Sequence, residues 1–252
     1  MSTARVPKEL FKEDGHYLGR PADATDVIIS RRVNISKQIP GFLNKEKTVL
    51  EIGCGTGFVL QAINKNFPGN NLFGDEYFEE GLVHAKKRLP EASFRCLDAI
   101  QMQDQARYDA IGAFDVIEHI EDDIAMLQSI KKNCVGDNNY FFITVPAFES
   151  LWSGHDDYLG HYRRYRIASL TRALAAADFK VTNSYYLYGT LFPLVWTIRK
   201  ISNLFKKGAA QSDMKPSSAL INALLLKFNA AEMRIAKNNK LFGVSCVAQG
   251  KI

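Results

Sequence analysis

What this 252-residue sequence has little of narrows it first. It has only four cysteines, Cys54, Cys96, Cys134 and Cys246, far apart and with no C-x-x-C pair. That spacing argues against a zinc site and a disulfide scaffold, so no metal is expected and the thiols read as reduced and cytosolic. Eight prolines and 17 glycines are too few for a disordered or fibrous chain. No apolar run reaches the roughly 18 residues that a bilayer span needs. The opening MSTARVPKELFKEDG has no apolar centre, so no secretion signal is expected. There is no internal repeat and no low-complexity linker. What is left is a globular chain, 46% hydrophobic, expected in the cytoplasm as one domain.

Charge is unevenly spread. Residues 1–198 hold 22 Lys+Arg against 25 Asp+Glu, whereas residues 199–252 hold 10 against 2. The whole basic excess therefore lies in the last fifth of the chain, where it suits an anionic surface. That segment has no recognisable nucleic-acid module, so no nucleic-acid partner is expected.

From about residue 25 the pattern alternates, beginning with a helix-like piece at 25–39 that stops at Pro40-Gly41. Strands are expected at 48–52, 71–76, 93–98, 108–115, 140–146, 180–188 and 241–250. Helices are expected between them at 57–67, 79–89, 123–134 and 167–179. Strand–helix alternation implies a doubly wound, mostly parallel seven-stranded α/β sheet. An N-terminal helical segment (1–44), a nucleotide-binding core (45–188), a helical insertion (189–240) and a last strand (241–252) complete the plan.

VLEIGCGTGFVL (49–60) places three glycines between two apolar runs. Glycine lets a backbone turn tightly and approach a ligand, and the following helix aims free N–H groups at whatever is bound. Glu76 closes the second strand, where a carboxylate can accept both hydroxyls of a ribose. The dinucleotide fingerprint is G-x-G-x-x-G, but here the spacing is G-x-G-x-G and Phe58 follows. Glu51, two residues before the loop, repels a pyrophosphate and attracts an ammonium group. A ribose, an adenine and a cationic amino-acid tail fit better than NAD, and S-adenosyl-L-methionine has all three.

LEIGCGTGFVL resembles the first motif of the Rossmann-like S-adenosylmethionine-dependent methyltransferases, and FGDEYFEEGLVHAKKR resembles the second. CLDAIQM and YDAIGAFDVIEHIEDD are similar to the next two, so the resemblance runs from about 48 to 182. It implies the Rossmann-like methyltransferase fold, S-adenosylmethionine as cofactor and S-adenosylhomocysteine as product. It implies that Glu51, Gly53, Cys54, Gly55 and Gly57 line the donor. Glu76, with Tyr77 beside it, would hold the ribose, with Asp75 as the alternative. Asp98 and the Ala99 backbone would meet the adenine, and Phe114 and Asp115 would border the methionine portion. Glu76 also has a plainer reading as a helix cap and Asp98 as a turn residue, and Glu118 and His119, which begin a helix-like piece, read as capping or packing residues as readily as catalytic ones.

Methyl transfer from a sulfonium needs nucleophile, methyl and sulfur in line at about 3 Å, which can supply roughly 7–11 kcal/mol. An oxygen nucleophile must also lose its proton, and an amine must arrive neutral. VPAFESLWSGHDDYLGHYRRYR (145–166) is long for an α/β loop and holds the candidates. His155 or His161 would be the base, with Asp156 orienting it. His119, on the turn after the fourth strand, is a third candidate. The alternative is a polar network that orders the loop. Arg163, Arg164 and Arg166 either clamp an acidic acceptor or form a solvated face. Tyr158, Tyr162 and Tyr17, with His16, are further acceptor contacts.

The insertion carries apolar stripes at helical spacing (Leu191, Leu194, Val195, Ile198, Ile201) beside basic pairs. Residues 189–240 either cap the acceptor end or form a homodimer face, or rest on a membrane surface. The expected function is methyl transfer to an oxygen or nitrogen of a small-molecule acceptor. The alternatives are a non-catalytic S-adenosylmethionine-binding or membrane-associated adaptor, or a methyltransferase for a lipid-linked acceptor.

Overall fold

The computed structural model describes residues 46–102, 107–134, 139–205 and 227–252. The N-terminal segment 1–44, with His16 and Tyr17, lies outside the described residues, as does 206–226 of the insertion.

Seven strands form one sheet: β1 (Thr48–Ile52), β2 (Asn71–Glu76), β3 (Ser93–Cys96), β4 (Ala110–Phe114), β5 (Tyr140–Pro146), β6 (Lys180–Leu187) and β7 (Ser245–Lys251). The spatial order is β3-β2-β1-β4-β5-β7-β6. The pairs among β1 to β5 are all parallel, while β7 runs antiparallel to both β5 and β6. The chain winds one way from β1 to β3 and then crosses to β4, so strand order reverses between β1 and β4. A crevice opens at the carboxyl ends of the strands at such a reversal. In the register, Ile52 of β1 lies level with Asp75 of β2 and Ala113 of β4. The next residue on each strand, Gly53, Glu76 and Phe114, therefore shares that edge.

Among the described residues the helices include α1 (Phe58–Asn66), α2 (Glu79–Arg88), α3 (Asp123–Cys134), α4 (Gly154–Leu159), α5 (Ile167–Ala176) and α6 (Phe192–Phe205). They cover the sheet from both sides. One core joins Leu50 and Ile111 to Met126, Leu127, Leu170 and Leu174; the other joins Val49 to Leu60, Ile63 and Leu82. Covering both faces explains why β1, β4 and β5 are buried along nearly their whole length with no alternation. In α2, Glu79 and Glu80 lie in the first turn and Lys86, Lys87 and Arg88 in the last, which complements the helix dipole.

Two expectations need correction. The 145–166 connection is not all loop: it contains a 3-10 turn at Glu149–Leu151 and the helix α4. Ser153 and Asp156 cap α4 reciprocally, and Gly160 (φ 71) ends it. The S-x-x-D spacing is the signal for that cap. The last strand begins at Ser245, four residues later than expected, because Asn239 holds the chain before it in a turn: its Oδ1 accepts from Leu241 N–H (3.2 Å) and its Nδ2 donates to the Phe242 carbonyl (2.9 Å).

Candidate active site

The glycine loop follows β1 on the crevice edge. Gly53, Gly55 and Gly57 have φ of 67, 55 and 83, a region that side-chain-bearing residues rarely adopt. Two positions also lack room. A Cβ on Gly53 would lie 2.5 Å from Val116 Cγ2, and one on Gly57 would lie 3.1 Å from the Ala85 backbone. The loop uses its own donors. Cys54 N–H donates to the Asp75 carbonyl (3.0 Å), Gly57 N–H to the Cys54 carbonyl (2.9 Å) and Gly55 N–H to Glu76 Oε2 (2.8 Å). A pyrophosphate needs such donors and would find them spent. The loop is also ringed by acids. Burial pushes the Cys54 thiol well above its ordinary range, and Glu51, Glu76 and Asp75 push it further. These residues fit a sulfonium with an ammonium tail and not a dianion.

Glu76 and Asp75 point to opposite faces of β2, and their neighbours separate their roles. Asp75 is buried and locked by Arg95, whose Nε and Nη2 each donate to one carboxylate oxygen at 2.8 Å. Glu76 accepts from Gly55 and from Phe78 N–H (3.0 Å). A carboxylate has about four lone-pair sites, so Glu76 keeps acceptor capacity for a ribose diol. Burial raises its pKa, and the bonds from Phe78, Gly55 and Tyr77 pull it back. Tyr77, 42% exposed, packs edge-on to Phe78. Asp98 accepts from Ile100 N–H (3.0 Å) and so caps the 3-10 turn Ala99–Gln101.

The other half of the edge follows β4 and β5. Phe114 ends β4, and Asp115 turns the chain with φ 56 while accepting from the Thr144 hydroxyl (3.2 Å). A 3-10 turn, Ile117–His119, comes next. Tyr162 N–H donates to the Glu118 carbonyl (2.8 Å) and so ties the 145–166 connection to this turn. That bond sets the His119 and His161 rings edge to face with centroids 4.6 Å apart. One ligand atom from each of Glu118, His119 and His161 lies within 4.8 Å of the others.

Asp156 is the centre of the polar network. Its Oδ1 meets His161 Nδ1 (2.8 Å) and Arg164 Nε (2.7 Å), and its Oδ2 meets Ser153 N–H (2.9 Å) and Arg199 (3.4 Å). Burial opposes its ionisation, but His161, Arg164 and Arg199 overcome that and hold the carboxyl well below the usual range. In sequence His155 and His161 are equal candidates to partner Asp156; the structure pairs it with His161. His155 heads α4, where its N–H donates to the Ser153 hydroxyl (3.3 Å).

The arginines, read as either a clamp or a solvated face, divide in this arrangement. Arg164 is buried, and its donors go to Asp156 and the Ala147 carbonyl (2.9 Å). Arg163 is held by Asp123 (3.0 Å) and lies beside the Tyr162 ring. Arg166 lies over the Phe148 ring (5.4 Å). Tyr158 and Tyr162 are half-buried on the same connection. Glu118, open in sequence to a capping, packing or catalytic role, is fully buried. Arg199 lies 43 residues from Asp156 in the insertion, and nothing local marks it.

Comparison with known proteins agrees with this geometry. A family model described as "Methyltransferase domain" matches residues 28–184. A malonyl-[acyl-carrier protein] O-methyltransferase of Priestia megaterium is 31% identical over 110 residues, covering 42% of this chain and 40% of that protein. A ubiquinone biosynthesis O-methyltransferase of Actinobacillus pleuropneumoniae is 29% identical over 109 residues, covering 39% and 46%. The chain thus spans less than half the length of these curated relatives. Among solved structures, the Haloferax volcanii complex of the Trm112 methyltransferase activator with a methyltransferase matches with a TM-score of 0.60 at 16% identity, covering 90% of this chain and 92% of that one. The magnesium protoporphyrin IX methyltransferase of Synechocystis with bound SAM matches at 0.52 and 15%, covering 70% and 86%. At these identities the structures speak for the fold.

Proposed function

This chain belongs to the class I S-adenosylmethionine-dependent methyltransferases, and on that premise we propose that it methylates an oxygen of a small-molecule acceptor, releasing S-adenosylhomocysteine. The reading rests on one observation: an acid-ringed glycine loop and a buried His161–Asp156 pair share one sheet edge. When bound, the cofactor supplies a methyl group already activated by its sulfonium charge.

The residues of this chain do the rest. Glu51, Asp75 and Glu76 make the loop electronegative and favour a cationic ligand. Glu76 holds the ribose, Asp98 and Ala99 flank the adenine, and Phe114 and Asp115 border the amino-acid end. Asp156 fixes the proton of neutral His161 on Nδ1, which leaves Nε2 with the lone pair. That lone pair assists loss of the acceptor's proton. Oxygen is preferred because a hydroxyl needs such help and because the named relatives are O-methyltransferases.

Helix α6 adds a second reading about the acceptor. It exposes Leu194, Trp196, Ile198 and Ile201, apolar surface that suits a lipid-like acceptor or a membrane face. Sedimentation with anionic vesicles tests it, and binding lost in Trp196→Glu is the expected result.

The main test is calorimetry with S-adenosylhomocysteine and NAD, followed by methyl transfer to a panel of phenols, acids and amines. Uptake of the first ligand alone is expected. His161→Ala should retain it and lower kcat about 100- to 10,000-fold. Uptake of NAD alone would overturn the reading. Donor binding without turnover on any acceptor would favour a binding protein.

A further inference from the structure

We propose that Glu118, His119 and His161 form a binding site for one divalent transition-metal ion at the acceptor end of the crevice. This rests on the methyltransferase reading and deepens it. The cysteine spacing excludes a cysteine-based zinc site, but it says nothing of one built from imidazole and carboxylate.

Four observations carry the proposal. First, one ligand atom of each of the three side chains lies within 4.8 Å of the other two. Metal–nitrogen and metal–oxygen bonds of about 2.0–2.2 Å set ligand atoms roughly 3–3.5 Å apart, so the three would draw together on an ion. Second, Glu118 is fully buried, and neither carboxylate oxygen has a hydrogen-bond partner. A carboxylate in that position would be stabilised by a cation held between it and the two imidazoles.

Third, both imidazoles are prepared as ligands. His161 Nδ1 is taken by Asp156, so Nε2 carries the free lone pair. His119 bonds the Leu159 carbonyl through one nitrogen, and its Nδ1 has no partner. Metal-binding histidines are oriented in this way, by a carboxylate or a carbonyl on the far nitrogen. Fourth, the turn that carries Glu118 and His119 adjoins the donor loop, because Val116 packs against Gly53. His119 is partly exposed, which gives an ion a way in.

Two imidazoles and one carboxylate suit zinc, manganese, iron or cobalt more than magnesium or calcium. Three protein ligands leave at least one position for an acceptor oxygen. A hydroxyl coordinated there gives its proton to water more readily, and the resulting oxyanion is the nucleophile. With the ion bound, His161 Nε2 would hold the cation, and the ion would take over the proton-removing role given above to His161 alone.

The test uses the full chain, stripped with a chelator and dialysed into metal-free buffer. Zinc is titrated by competition with a chromophoric chelator, and manganese is followed by electron paramagnetic resonance. About one equivalent should bind. Glu118→Gln and His161→Ala should each weaken binding about 10- to 100-fold, and His84→Ala, on α2, should not. Circular dichroism confirms that each variant folds. S-adenosylhomocysteine binding is measured in parallel on every sample. If that ligand binds but no metal does, or if Glu118→Gln binds metal as well as the parent, the metal site is overturned and the methyltransferase reading stands. If the parent binds neither, both are overturned.

Discussion

The donor half and the acceptor half of the crevice are built by different means. The donor half is made of backbone: three left-handed glycines, their own N–H groups and one acid on the neighbouring strand. The acceptor half is made of side chains: Asp156 gathers His161 and Arg164 from its own connection and Arg199 from the insertion. A site made of backbone tolerates changes of charge but not an added methyl group. A site made of buried charge tolerates changes of shape but not the loss of one partner.

The largest effect that would break this contrast belongs to the acceptor half. Asp156→Ala leaves Arg164 and His161 buried without their anion and should destabilise the fold by about 3–5 kcal/mol in urea denaturation. A loss below about 1 kcal/mol would mean that charge does not organise this half. Next comes Gly53→Ala. The left-handed backbone should cost about 1–2 kcal/mol, and the collision with Val116 about 1–3 kcal/mol more. Val116→Ala in the same chain should recover only the second part; no recovery at all would remove packing from the explanation.

A smaller effect sharpens the comparison through pH. Burial raises the folded-state pKa of Glu76, even after the bonds from Phe78 and Gly55 are counted. Its stabilising contribution is therefore full below the unfolded value of about 4.3 and is lost as pH rises through the folded value. The melting-temperature difference between the parent and Glu76→Gln should favour the parent most near pH 4 and decline above it. A difference that grows with pH would show that the N–H bonds outweigh burial. The smallest effect is expected for Arg163→Ala. Its ion pair with Asp123 is partly exposed, so the loss should stay under about 1 kcal/mol by thermal melting.

The same contrast explains what could be read from sequence. Strands such as Asn71–Glu76 and Tyr140–Pro146 fall where expected, because a sheet buried on both faces writes itself as short apolar runs. The glycine loop was legible because its parts are contiguous. The acceptor half was not, because Asp156 faced two histidines in sequence and only the fold of α4 pairs it with His161. Glu118 shows the limit most plainly. A capping acid and a buried acid look alike until Tyr162 closes over the turn, a contact 44 residues away in the chain.

The place of β7 has a consequence for how the protein is made. It lies between β5 and β6 but is synthesised nearly 60 residues after β6. While the ribosome is still producing the insertion, β5 presents a bare edge and β6 has no neighbour to join. A nascent chain in that state is a ready target for a chaperone or for pairing with another copy. The step that ends this exposure is the threading of Ser245–Lys251 into the gap, so folding speed should depend on that late event more than on any earlier one.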